Sequence, residues 1–555
     1  MKGGGDEAVT PPDTLGPGSR GEGPRNGRDN APPAPRGRNL EIELKLAGTA
    51  SALETLWASA IAPRTRTTTR RLISTYFDTP DLRLRRRGFT LRVRHDGKDF
   101  VQTVKAGRGE LRSVTRRREW STPVDGPVPD LMRLAEPEVL ERIGLVVAGE
   151  LQPLFTTEVT RRTKRYRLDQ DDRGKARIEA ALDTGEIRCG GKSEAVCELE
   201  LELLEGSAVA LQKEAARLLE GAPLEYQPLT KAERGFALAF GERPTGRKAD
   251  PPKLNPGDSV EDGLERVLAS CVNHWLANHA AVLDGSDTEG VHQMRVAMRR
   301  LRSALTVFKS ALPADDREWL QREAKSLIAG LGSARDWDVF IDDLLRPVMA
   351  ARPEDDSLEA LRDVVNDERR LAYDQARAML RSPGYLRFVL DLGAWLEGRG
   401  WRRTQTETSL ERDLIDLAGE ALSKRHKQVI KLGRKFDDLS DEALHRLRIS
   451  LKKLRYTAEF FAALYAKGET EAYSKSLRQL QDDLGHLNDL AVAEARLADL
   501  RGRLEQDGAG DRQRPCGVVI GWHAHALARI RPRIAKDWRA FTRTRPFWQP
   551  TTVKV

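Results

Sequence analysis

The feature that most restricts what this chain can fold into is a duplication in its second half. The segment VHQMRVAMRRLRSALTVFKSAL, starting at Val291, is matched by LHRLRISLKKLRYTAEFFAAL, starting at Leu444, and His292 and His445 are 153 positions apart. The Leu-Gly of LGSARDWD and the Leu-Gly of LGHLNDLA are separated by the same 153. A gapless offset of this kind predicts two copies of one helical unit packed with pseudo-twofold symmetry. From Glu261 to about Arg533 the chain is rich in Leu, Ala, Arg and Glu, with a 3.6-residue apolar period and few strand signals.

Ahead of the duplication the texture changes. Residues 1–38 are rich in Gly, Pro, Arg and Asp with almost no bulky apolar side chains, which predicts a disordered tail. Leu40-Glu41-Ile42-Glu43-Leu44-Lys45-Leu46 then alternates strictly, as a strand does. Leu91–Arg94, Phe100–Lys105, Arg165–Leu168 and Val196–Leu203 alternate in the same way, with helical stretches between, so residues 39–240 read as an α+β domain. Residues 241–258 (GERPTGRKADPPKLNPGD) read as a linker and 259–545 as the helical domain. No run approaches the roughly 18 apolar residues of a membrane helix, and no apolar signal segment begins the chain. The four scattered cysteines (Cys189, Cys197, Cys271, Cys516) make neither a disulfide framework nor a zinc motif. The expected location is the cytoplasm, with no membrane partner.

Charge is distributed by face. Glu41, Glu43 and Lys45 share one side of their strand, Arg92 and Arg94 one side of theirs, and Glu198, Glu200 and Glu202 one side of a third. Ordinary solvent faces of an antiparallel sheet account for any one of these strands. A closed sheet with its charged faces turned inward would instead set carboxylates opposite Arg and Lys around a common lumen, which suits a metal-bound polyphosphoryl substrate. With 93 basic against 84 acidic residues the net charge is only +9, so a polyanion site needs local concentration of cations.

EIELK at Glu41–Lys45 resembles the ExExK signature of the CYTH superfamily, the triphosphate tunnel metalloenzymes. The likeness continues in order through Tyr76-Phe77-Asp78-Thr79-Pro80, Gly88–Arg94, Thr103-Val104-Lys105, Arg118-Glu119-Trp120, LFTTEVTR ending at Arg161, Ala181–Gly185, Glu198-Leu199-Glu200, and Lys231 to Gly235. The resemblance implies an eight-stranded antiparallel β-barrel, a tunnel open at both ends. It implies that Glu41, Glu43, Asp183, Glu198 and Glu200 bind one or two Mg²⁺ or Mn²⁺ ions. Lys45, Arg92, Arg94, Lys105, Arg161 and Lys231 would hold phosphates, with Glu41, Glu43 and Lys45 at the catalytic centre. Glu119 matches an acidic position without an assigned role, and of Arg161 and Arg162 only one can face inward.

In the helical half His292, Arg295, Arg299 and Arg302 fall on one helical face, and His445, Arg448, Lys452 and Arg455 repeat the spacing. The apolar stripe of Val291, Met294, Met298, Leu301 and Leu305 lies one residue, about 100°, away. Arg322 and Lys475, and Lys325 and Arg478, are further basic pairs at the same 153-residue offset. A solvated basic face explains one such helix, and each histidine could be a packed core residue. Recurrence in the second copy, with no acidic residue inside the stripe, points to an anion. These residues resemble the CHAD domain, a conserved-histidine α-helical domain, over roughly Val260 to Trp538. The resemblance implies an all-α, pseudo-twofold pair of four-helix bundles whose basic groove binds inorganic polyphosphate. Asn488 in the second copy stands where the first has Arg335.

The expected activity is metal-dependent hydrolysis of inorganic tripolyphosphate to pyrophosphate and phosphate, with polyphosphate bound by the helical half. Polyphosphate granules are a second expected location. Nucleic acid is disfavoured because the stripes lack interleaved aromatics for base stacking. The competing functions are a non-catalytic polyphosphate-binding or granule-targeting protein, a class IV-type adenylate cyclase, and a nucleoside or thiamine triphosphatase.

Overall fold

The computed structural model describes residues 40–107, 113–134, 136–143, 149–169, 175–403, 407–506 and 513–549. The expected tail, residues 1–38, lies outside them.

Eight antiparallel strands make the first half: β1 (Leu40–Ala47), β2 (Thr68–Asp78), β3 (Phe89–His95), β4 (Phe100–Ala106), β5 (Thr115–Val124), β6 (Gln152–Asp169), β7 (Lys175–Cys189) and β8 (Lys192–Glu205). Around the sheet the order is β5-β4-β3-β2-β6-β7-β8-β1, and β1 pairs back onto β5 to close the barrel that the CYTH resemblance implies. Closure removes the unpaired edges that an open sheet would expose. A two-residue strand, β9 (Glu225–Tyr226), adds to β1.

Register decides which face looks inward, because directly opposed residues share a side. Glu43 faces Glu202 and Lys45 faces Glu200 across β1–β8, while Asp183 faces Glu198 on β8 and Arg161 on β6. The opposite side of the same strands presents Leu44, Leu46, Ile178, Leu182, Leu199 and Leu201, all buried. They pack under Leu53, Leu56 and Trp57 of α1 (Ala50–Ser59) and Leu211, Ala215 and Leu218 of α2 (Val209–Leu219). Each such side chain contributes about 1.5–3 kcal/mol by leaving water, so the apolar face is held outward against helices and the charged face is left to the lumen.

One expectation is corrected. The lumen is not open along its whole length, because α3 (Lys231–Phe240) enters it. Ala232 and Phe236 pack against the inward residues Leu72, Tyr76, Phe155, Val159, Ile187 and Val196. Phe155 stacks on Tyr76 at 4.6 Å and meets Phe236 edge-on at 5.3 Å. A capping box between Thr230 and Glu233 starts the helix at Lys231, and Gly235 lets it approach the Phe155 ring, where a Cβ would lie 2.0 Å from Cε2.

The second half is helical: α4 (Val260–Ala277), α5 (Thr288–Val307), α6 (Ala314–Gly330), α7 (Gly332–Val339), α8 (Asp356–Leu380), α9 (Pro383–Glu397), α10 (Leu414–Leu432), α11 (Asp441–Phe461), α12 (Lys467–Gln506) and α13 (Gln513–Arg543), with shorter turns between. The duplication is visible in the boundaries, since α5 and α11, and α6 and α12, each begin 153 residues apart. Val291, Met294, Met298, Leu301 and Leu305 form the buried seam of α5, and Leu444, Leu447, Leu451 and Leu454 that of α11. The copies diverge after their third helix, where α6 breaks at Leu331 and α12 runs on unbroken.

Helix α9 lies between the two copies in sequence and packs on α2 of the barrel half. The barrel and helical halves thereby share one continuous apolar core. The segment 242–258 has no helix or strand of its own but is bonded to the helices. Gly246 N donates to Asp287 Oδ2 at 2.8 Å, Arg247 N to Asn278 Oδ1 at 2.8 Å, and Ser270 Oγ to Asp250 O at 2.8 Å.

Candidate functional site

The charged barrel positions singled out in the sequence face the lumen, with Arg162 the exception. On β1, Glu41 accepts from Lys105 Nζ of β4 at 2.6 Å, and Glu43 is bonded by its neighbour two residues on, Lys45. Lys105 also lies 2.8 Å from Glu119 of β5, and Lys45 lies 3.6 Å from Glu200 of β8. Arg161 grips Asp183 with two hydrogen bonds of 2.7 and 2.6 Å and reaches Glu200 as well. Arg162 points outward, to Glu54 and the Trp57 ring of α1, which resolves which of the two arginines enters the lumen.

Lys231, the first residue of α3, brings its ammonium to 2.7 Å from Asp183 Oδ2 and 3.0 Å from Glu200 Oε1, and it bonds Glu198 too. Asp183, Glu198 and Glu200 are buried, and each offers a carboxylate oxygen within 4.8 Å of the other two. Three hard oxygen donors at that spacing fit a divalent cation such as Mg²⁺ or Mn²⁺. Glu41 and Glu43 are not part of this triad and are paired with Lys105 and Lys45 instead.

Electrostatics separate the acids into two kinds. Burial would raise Glu200, Asp183 and Glu43, but Lys231 and Arg161 (for Glu200 and Asp183) and Lys45 (for Glu43) overcome it and hold all three below their usual range. Glu119 is likewise pulled down, to about 2, by Lys105 and Arg92 against burial. Glu202 has no such cation among the described residues, and burial together with Glu41, Glu179 and Glu43 pushes it up to about 8. Among the cations, Arg94 is forced down to about 9 by burial and by Arg92 and Arg161. Tyr76 is lowered despite its burial, because Arg92, Arg94 and Lys105 favour its phenolate. Arg94 keeps one bond, from Nε to Ser74 Oγ at 3.3 Å, and Arg92 Nε has no partner. The lumen therefore contains cations that an entering anion would relieve.

Several lumen residues escaped the sequence reading. Arg234 bonds Glu194 at 2.7 Å and Glu198 at 3.1 Å, Glu179 stands opposite Glu202, and Arg117 faces inward opposite Glu41. Counting back by two from Glu119 would have found Arg117, but it is hidden in the run Arg116-Arg117-Arg118.

In the helical half the two stripes meet between α5 and α11. Burial, reinforced by the charges of Arg335 of α7, Arg299, Lys452 and Arg295, pushes His292 down to about 3, so it is neutral at physiological pH. Lys452 is driven down to about 7 by burial, Arg448 and Arg299. Arg295, held down to about 10 by burial and Arg299, donates to Ile328 O at 2.8 Å. Acidic neighbours come from outside the stripes: Asp489 lies 3.5 Å from Arg448 and Glu459 lies 3.3 Å from Arg455. The second histidine does not mirror the first, since His445 is exposed and His292 half-buried. Arg302 is engaged by Gln321 at 2.9 Å. Arg322, Lys325, Lys475 and Arg478 are exposed on α6 and α12. The side chain of Asn488 lies outside the described residues.

Comparison with known proteins matches residues 39–236 to the CYTH domain and residues 266–498 to the CHAD domain. An uncharacterized protein of Mycobacterium tuberculosis is 28% identical over 487 residues, spanning 83% of this chain and 90% of its own. The inorganic triphosphatase of Haemophilus influenzae is 26% identical over 166 residues, which are 30% of this chain and 45% of that one. The crystal structure of the CHAD domain from the plant Ricinus communis is 31% identical, covers 53% of this chain and 96% of that one, and superposes with a TM-score of 0.47.

Proposed function

The chain joins a CYTH domain to a CHAD domain, and from that premise we propose that it is a metal-dependent inorganic triphosphatase whose helical half binds polyphosphate. The observation that carries the first part is the coexistence, in one closed lumen, of a buried carboxylate triad and of arginines without carboxylate partners. Asp183, Glu198 and Glu200 would hold Mg²⁺ or Mn²⁺, with Glu41 and Glu43 as further acidic ligands at the catalytic centre. A bound divalent ion supplies charge neutralisation on the phosphoryl oxygens and a more acidic water.

The chain's own residues do the rest. Arg92 and Arg94 would neutralise the phosphate oxygens, and Lys45, Lys105, Arg161 and Lys231 would exchange carboxylate partners for phosphate as the substrate enters. A linear triphosphate carries about four negative charges, and water attacks phosphorus only when they are screened. The lumen aromatics Tyr76, Phe155 and Phe236 are engaged with one another, Tyr76 stacked on Phe155 and Phe236 edge-on to it, which favours an inorganic substrate. The Haemophilus influenzae relative, named as an inorganic triphosphatase, supports the same reading.

In the helical half, His292, Arg295, Arg299, Arg448 and Lys452 would bind polyphosphate, with Arg302, Arg322, Lys325, His445, Arg455, Lys475 and Arg478 extending the path. Affinity should fall steeply with salt, as condensed counterions are released from a polyanion.

The test is phosphate release from tripolyphosphate with Mg²⁺, with Mn²⁺ and with chelator, beside the double variant Glu41→Ala, Glu43→Ala. Metal-dependent release lost in the variant is expected. Equal release from both, or polyphosphate retention without any turnover, would replace the enzyme with a polyphosphate-binding protein.

A further inference from the structure

We propose that Arg117 is a further phosphate-contacting residue of the lumen, placed beyond the cations already named; the proposal rests on the triphosphatase reading above. The lumen cations divide by what neutralises them. Lys45, Lys105, Arg161, Lys231 and Arg234 each have a carboxylate oxygen within 3.1 Å or closer. Arg92 and Arg94 have no such partner among the described residues, and both are among the cations expected to take phosphate.

Arg117 falls in the second group. Its side chain is only 10% exposed, and among the described residues its nearest carboxylate is Glu233 Oε2 at 4.0 Å and its buried Nε has no hydrogen-bond partner. Glu41, the residue directly opposite on β1, is occupied by Lys105. A guanidinium held nine-tenths out of water without a full counter-charge is costly, and an anion in the lumen removes that cost.

The strand holds Arg117 in this position from both sides. Its neighbour Arg116 points out of the barrel and bonds Glu397 of α9 at 2.6 Å, so the helical half pins the outer face of β5 at this point. Two residues along β5 on the inner side stands Glu119, bonded to Lys105. Arg117 thus continues the row of polar side chains that begins with Ser121 and Glu119 toward the β1–β5 seam. A planar fork at that point can donate to two oxygens of one phosphoryl group.

The experiment uses the full chain and three variants: Arg117→Met, Arg117→Lys and Glu233→Gln. Steady-state tripolyphosphate hydrolysis with Mg²⁺ should show KM raised about tenfold in Arg117→Met with kcat within about twofold, and partial recovery in Arg117→Lys. Glu233→Gln, which keeps the capping geometry but removes the nearby charge, should not raise KM. A KM unchanged in Arg117→Met, a loss confined to kcat, or the same rise in Glu233→Gln would overturn the proposal, the last by showing that Arg117 only supports α3. Calorimetric binding of tripolyphosphate to the metal-free chain is the second readout. If the wild-type chain binds but does not hydrolyse, the triphosphatase reading fails alone. Weaker binding in Arg117→Met then still supports the contact, and equal binding overturns it.

Discussion

Lys231 and Asp183 are ion-paired at 2.7 Å, and the same ammonium also contacts Glu198 and Glu200, so one lysine occupies all three members of the candidate metal triad. The three carboxylates raise Lys231 well above its usual pKa in spite of its burial, which keeps it charged at any physiological pH. A divalent cation entering the triad must share these oxygens with a positive charge only one side chain away.

Removing that charge should therefore strengthen metal binding in the absence of substrate. In Lys231→Met, Mn²⁺ affinity measured by calorimetry should rise roughly tenfold, equivalent to about 1.4 kcal/mol, while tripolyphosphate affinity falls. Unchanged or weaker Mn²⁺ binding would mean that lysine and metal do not compete.

Gly235 should be intolerant of any side chain. Its Cβ position lies 2.0 Å from Phe155 Cε2 and 2.4 Å from Cδ2, ring atoms already fixed between Tyr76 and Phe236. Gly235→Ala should cost about 1–3 kcal/mol by overpacking and displace α3, and with it Lys231. The added substitution Phe155→Leu should recover part of the melting temperature. A Gly235→Ala chain that melts with wild type would show that α3 can move aside without cost.

The lumen was largely legible in the sequence because strand alternation is a period of two and each inward residue follows from any one of its neighbours. Glu41, Glu43 and Lys45 fix the phase of β1, and Glu198 and Glu200 that of β8. What alternation does not carry is pairing between distant strands. The β1–β5 closure, which sets Arg117 opposite Glu41, depends on the register of two segments some seventy residues apart in a triple-arginine run. The α3 insertion was unreadable for a different reason. Lys231 to Phe240 has an ordinary amphipathic pattern, and nothing local says that its apolar face is covered by the inside of a barrel. In the helical half the 153-residue repeat located the stripes, yet equivalent positions differ in exposure, as His292 and His445 do, because neighbours outside the repeat differ.

Lys452 should make polyanion binding pH-dependent. Its pKa near 7 in the folded chain lies far below the roughly 10.4 of a free lysine. Between those values the unfolded chain binds the extra proton, so this group's contribution to stability improves as pH rises from about 7 and is least favourable below it. The groups facing it are Arg299 of α5, Arg448 and Arg455 of its own helix, and Asp489 of α12, the one acid among them. A polyphosphate chain laid across these cations would restore the ammonium. Binding at pH 8.5 should take up about one proton, and affinity should weaken as pH rises from 7 to 9. Calorimetry in buffers of different ionisation enthalpy reads the proton directly, and Lys452→Met should abolish it. Proton uptake that survives in Lys452→Met would assign the effect to another group.

The packing of α9 on α2 predicts that the two halves unfold together. Gly393 of α9 sits so close to the barrel half that a Cβ would lie 1.9 Å from Ser113 Oγ and 3.2 Å from Gln212 Nε2. Nearby, Tyr385 OH bonds His279 Nδ1 at 3.0 Å, and the His279 ring meets Tyr226 of β9 edge-on at 5.5 Å. Burial holds His279 down to about 3, neutral and suited to this dry contact. The Arg116–Glu397 pair closes the same interface at its other end. A shared core of this kind behaves as one cooperative unit, whereas domains that touch only through polar contacts melt separately. Scanning calorimetry of the full chain should give one transition. Gly393→Val wedges the surfaces apart at a cost of about 1–3 kcal/mol, and should split that transition into two, the lower belonging to the half that loses more buried apolar area. Two transitions in the wild-type chain, or a Gly393→Val trace that superposes on it, would show that the contact between α9 and α2 does not bind the halves together.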